Sequence, residues 1–157
     1  MSSRVLFTAC VLLVTGCQLS RTDPHAQASA VQAKCGSEAT RDARVVDPHN
    51  VDRVEPLYAI VSSTPNGMES RLIGAKLHIR QLEGMTAESV SNSLYCHAAS
   101  DELRSPQDNT CPYAIPDAWV DIQVRPDATG YEVAVRGQDF NEAEQILSRA
   151  QSFQQRN

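Results

Sequence analysis

Four side chains in this 157-residue chain have types and spacing that suit chemistry: Cys96, His97, Cys111 and His78. Cys96 falls late in a helical pattern and Cys111 closes the loop that follows. In an oxidising compartment that arrangement predicts a Cys96–Cys111 disulfide pinning the loop to the helix. A closed loop of about 15 residues contributes about 3 kcal/mol in the chain-entropy model. The alternative is a metal site, because thiolates and imidazoles hold zinc or copper. The spacing disfavours a four-ligand set. No two cysteines stand two to four residues apart, neighbours on a helix diverge by about 100°, and His78 belongs to a strand. The metal reading that survives uses His97 with Cys96 or Cys111.

Trp119 is the single tryptophan of the chain. Set among charges on a strand, it predicts a partner-binding patch with His78, Arg80 and Asp121 on an open sheet face. No catalytic set is visible. There is no Gly-x-Ser-x-Gly, no His-Glu-x-x-His and no phosphate-cradling glycine loop. Asp101 and Glu102 read as helix-surface carboxylates. The expectation is a non-enzymatic protein without a cofactor; were there an activity, the cleft beside His78 and Asp121 would hold it.

The elements that must position these residues follow from periodicity. Residues 57–61 form a short apolar run, read as a strand, and Pro65-Asn66-Gly67 is a turn signal. Residues 72–81 alternate: Ile73, Ala75, Leu77 and Ile79 to one side, Lys76, His78 and Arg80 to the other. Thr86 suits a helix N-cap, with Ala87, Val90, Leu94 and Ala98 as the apolar stripe and an end near Leu103. Residues 118–125 alternate again, with Val120, Ile122 and Val124 inward and Trp119, Asp121, Gln123 and Arg125 outward. A turn at residues 127–130 leads to Tyr131, Val133 and Val135. Asp139 and Glu142 make a capping-box pair for a last helix, whose apolar face is Phe140, Ala143, Ile146, Leu147 and Ala150. The order β-β-α-β-β-α predicts an α+β domain of ferredoxin-like, split β-α-β type. It has an antiparallel sheet with two helices on one face, and the first strand stands in for a missing last one. Heavy-metal-associated domains share that fold and carry Cys-x-x-Cys in the first strand-to-helix loop. Here residues 81–86 hold no Cys or His, so the fold alone implies no metal transport.

The N-terminus carries an address. Arg4 precedes an apolar run over residues 5–14, about ten residues and too short for a bilayer span of roughly 20. The run ends in Val14-Thr15-Gly16-Cys17. This stretch resembles the signal of bacterial lipoproteins. The resemblance implies cleavage after Gly16, diacylation of Cys17 and, with Gln18 instead of Asp next, retention at the outer membrane. Acyl chains contribute about 0.8 kcal/mol per buried CH₂, enough for several on one cysteine to anchor a protein. Residues 1–16 are thus expected as signal, 17–53 as a lipid-anchored flexible tether rich in Gln, Ala, Ser and Asp, and 54–157 as the folded domain. A flexible coil of that length reaches about 30 Å. Lipidation of Cys17 leaves Cys35, Cys96 and Cys111, with Cys35 the expected spare thiol. The expected partners are the membrane, through the lipid, and an envelope protein or the cell wall.

A formal net charge of −5, with Lys34 and Lys76 as the only lysines, excludes a nucleic-acid surface. Across the domain, Gly74-Ala75, Gly84-Met85-Thr86-Ala87-Glu88, Cys96-His97 and Cys111-Pro112 resemble a motif set of predicted secreted bacterial proteins. That resemblance implies no activity.

Overall fold

The computed structural model describes residues 23–36, 42–64, 67–104 and 111–156. The expected signal, the Cys17 lipidation site, the Pro65-Asn66 turn and the loop at residues 105–110 lie outside the described residues.

Alternation in the sequence becomes a four-stranded antiparallel sheet. Its strands are β1 (Val51–Thr64), β2 (Gly67–Arg80), β3 (Asp121–Asp127) and β4 (Gly130–Arg136), in the order β1-β2-β4-β3. β1 takes the edge beside β2, the place that a final strand would fill in a ferredoxin-like unit. The register stacks the apolar positions across strands: Leu77 lies opposite Val133, Ala75 opposite Val135, and Ile122 opposite Val135 from the other side. One face is therefore continuous hydrocarbon.

That face is covered by α2 (Ala87–Arg104) and α3 (Phe140–Gln154), which bury Val90, Leu94 and Ala98, and Ala143, Ile146, Ala150 and Phe153. Both helices start where the sequence places their caps. Thr86 and Ser89 exchange backbone-to-hydroxyl hydrogen bonds. Asp139 accepts from the Glu142 N–H at 2.9 Å, and Glu142 reaches back to the Gln138 N–H at 2.7 Å.

β1 is longer than its apolar run suggested and begins at Val51. β4 pairs with β2 only from Gly74 onward. Among the described residues the far half of the β1–β2 hairpin therefore has no third strand, and Tyr58, Ile60, Val61 and Met68 stay exposed.

The tether expected over residues 17–53 is corrected across its described part. Asp23 caps a third helix, α1 (Pro24–Gln32), with proline in its first turn. α1 packs against α2 and buries Ala28 completely. Two 3₁₀ turns, Ala43–Val46 and Pro48–Asn50, follow, and Val45 and Val51 join the core. The composition hid this because the buried payload is small, alanine and valine, so no apolar period stands out. A covalent tie does the rest.

Candidate functional site

The covalent tie is a Cys35–Cys96 disulfide, with 5.8 Å between Cα atoms. The expected Cys96–Cys111 bridge is not formed, and Cys111 is a buried free thiol. The reason lies in the helix. Cys96 and His97 project about 100° apart from α2, so each meets a different neighbour. α1 brings Cys35 to Cys96, and the segment entering β3 brings Cys111 to His97. Cys35 is thus bridged and Cys111 is the spare.

Cys111 is held firmly. Tyr113 and Ile115 just after it are buried, Tyr113 meets the edge of Phe153, and Arg149 of α3 donates to the Ala114 carbonyl at 2.8 Å. On α2, His97 and Asp101 stand four residues apart and share one side. His97 Nε2 lies 3.2 Å from Cys111 Sγ and 3.1 Å from Asp101 Oδ2. The three donor atoms all fall within 4.8 Å of one another. Burial by itself disfavours a charged imidazole here. The hydrogen bonds to Asp101 and Cys111, with the charges of both, outweigh it and push His97 up to about 10.

The geometry discriminates between two chemistries. In a nucleophilic triad the carboxylate holds the ring nitrogen remote from the nucleophile. Here sulfur and carboxylate converge on the same nitrogen, and Cys111 is only 5 % exposed. Three donor atoms this close together are a group that could hold a metal ion. Tetrahedral zinc, with bonds of about 2.0–2.3 Å, spaces its donors about 3.3–3.6 Å apart. The two separations from His97 Nε2 would need to open by only a few tenths of an ångström. A cation held by His97, Asp101 and Cys111 would compete with protons for these ligands. The Cys111 sulfur backs the site from the core, while His97 and Asp101 line a cavity of about 290 Å³ that also meets Ser93, Ser100 and Arg104. The fourth position of a bound ion would face that cavity.

Asp101 is the residue that sequence reasoning missed. Its signal was available: His97 and Asp101 are spaced i, i+4 on one helix face. Of the expected ligands, His97 and Cys111 come together, and Cys96 is consumed by its disulfide.

The expected docking patch is dispersed. Trp119 does not lie on the open sheet face; it stacks on Tyr95 of α2, with ring centroids 6.2 Å apart. The alternation of β3 does not extend back to it, because the strand begins at Asp121. Asp121 accepts from the Tyr95 hydroxyl at 3.2 Å and pairs with Arg136 at 3.3 Å. His78 is on the open face, enclosed by Arg53 at 3.1 Å and Asp127 at 3.4 Å, and Arg80 is paired with Asp52. His78 and Asp121 are two strands apart and four positions out of register, about 15 Å, so no cleft joins them. Comparisons with protein-family models, with curated proteins and with solved structures returned no match.

Proposed function

We propose that this protein is a non-enzymatic, outer-membrane-anchored lipoprotein whose domain binds a zinc ion through His97, Asp101 and Cys111. The observation that carries the reading is the convergence of Sγ and Oδ2 on one imidazole nitrogen, with an open cavity beside them. The donor set favours zinc. Thiolate and imidazole suit zinc and copper alike, but a carboxylate is a poor ligand for soft Cu⁺ and an ordinary one for Zn²⁺. The lipobox residues ending in Cys17 support the anchor. The Cys35–Cys96 disulfide supports an oxidising compartment.

The test is cobalt substitution. The purified full chain, titrated with Co²⁺, should develop a thiolate-to-cobalt charge-transfer band at one equivalent, and Zn²⁺ should displace it. Cys111→Ser should abolish the band. Asp101→Asn and His97→Gln, which remove direct ligands, should weaken zinc binding by more than the roughly 10–100-fold that loss of an outer-shell partner costs. A wild-type chain that gives no band, or zinc affinity unmoved by Cys111→Ser, rejects the site. Anchoring is checked separately by mass spectrometry of the Cys17 peptide and by release of Cys17→Ser from the membrane fraction.

A further inference from the structure

A second cavity, of about 450 Å³, lies between α1, α2 and the segment entering β3, and no residue of the His97 site lines it. Its volume is in the range of small-molecule sites, about 300–1,000 Å³. One wall is aromatic. Tyr95 and Trp119 lie with 16° between their planes and 6.2 Å between centroids. Near-parallel rings that far apart are offset, so together they form a broad stepped surface. Tyr95 is fixed, because its hydroxyl donates to Asp121 and accepts from the Ile122 N–H at 3.0 Å. Facing the rings are Val31 and the Cys35–Cys96 bridge. The polar side chains of the lining are those of Lys34 and Asn92, both exposed, and no carboxylate lines the cavity. Neither side chain has a hydrogen-bond or ion-pair partner among the described residues.

We infer that this cavity binds a small ring-bearing carboxylate. The ring face lies on Trp119 and Tyr95, the carboxylate meets Lys34 in a charge-assisted hydrogen bond, and Asn92 takes a hydroxyl or amide. Two sources share that chemistry: an acidic pyranose, which stacks the apolar C–H face of its ring, and an aromatic acid. The inference stands independently of the metal site.

Because Trp119 is the only tryptophan, its fluorescence reports on this cavity alone. The purified full chain is titrated in parallel with N-acetylmuramic acid, benzoate and uncharged N-acetylglucosamine. A saturable emission change with at least one acid is expected. Lys34→Gln should weaken it about tenfold, and the uncharged sugar should bind weaker than the acids by a similar factor. Saturation by the sugar acid alone assigns an acidic glycan, by benzoate alone an aromatic acid, and by both a site that reads only ring and charge. Circular dichroism establishes that Lys34→Gln keeps its fold. No saturable change with either acid overturns the inference, and so does binding that Lys34→Gln leaves unchanged.

Discussion

Replacing Cys35 with serine cuts the covalent tie between α1 and α2, and the cost can be worked from the topology. The bridge joins residues separated by 61 positions. Closing a loop of that size removes about 14 cal/mol/K from the unfolded chain, about 4 kcal/mol at 25 °C. That is a large share of the 5–15 kcal/mol that holds a typical domain together. At about 3 °C per kcal/mol for a domain of this size, the melting temperature should fall by about 10–15 °C. The assay is thermal unfolding of the metal-free full chain by circular dichroism. It is paired with mass spectrometry of an unreduced digest. The freed Cys96 could pair with Cys111 in the single variant, so Cys35→Ser/Cys96→Ser is measured beside it. The reasoning fails if the digest of the unsubstituted parent yields a Cys96–Cys111 peptide. It also fails if the double variant melts within about 2 °C of the parent, because the bridge would then close no loop that unfolding opens.

Three further outcomes are expected. A Cβ on Gly74, which has φ +152°, would strike the Val135 carbonyl of the paired strand, whereas one on Gly84 (φ +76°) meets open space. Gly74→Ala should therefore cost about 3 kcal/mol or more in urea unfolding, and Gly84→Ala only the left-handed penalty of about 1–2 kcal/mol. The Tyr113 hydroxyl is buried without a hydrogen-bond partner among the described residues, so Tyr113→Phe should stabilise the domain by about 1 kcal/mol. Burial, with the nearby Cys111, pushes the Tyr113 phenol above its ordinary range. Its folded value exceeds the unfolded one of about 10, so the associated stability is complete below pH 10 and is lost as pH rises beyond it. Urea midpoints across alkaline pH should show a steeper fall for the parent than for Tyr113→Phe. Tyr95→Phe should cost about 1–2 kcal/mol, because it leaves the half-buried Ile122 N–H without its acceptor; an unchanged urea midpoint would contradict this.

The sheet and the two covering helices were legible because their signals are local and redundant. Period-two alternation in residues 72–80 and 131–135 matches the buried set Ala75, Leu77, Ile79, Tyr131, Val133 and Val135. Thr86 and Asp139 cap the helices where side-chain chemistry says they should. Trp119 was misplaced because alternation was extended past the start of β3, where the chain leaves the sheet plane. α1 was missed because nine residues with Ala28 as the only buried side chain give no period to read.

That miss and the wrong disulfide have one cause. If residues 24–35 were a solvated tether, Cys35 would be remote from the domain, and Cys96 would find Cys111 as its only partner inside it. Once α1 docks on α2, Cys35 takes Cys96, and Cys111 stays free of any disulfide. A free Cys111 sulfur beside His97 therefore depends on where α1 places Cys35. A chain whose α1 could not dock would leave Cys96 without Cys35, and a Cys96–Cys111 bridge would then require Cys111 to leave His97. The Pro24–Gln32 helix thus sets which of the three cysteines stays unpaired, and its sequence, poor in large apolar residues, carries that role without any motif to announce it.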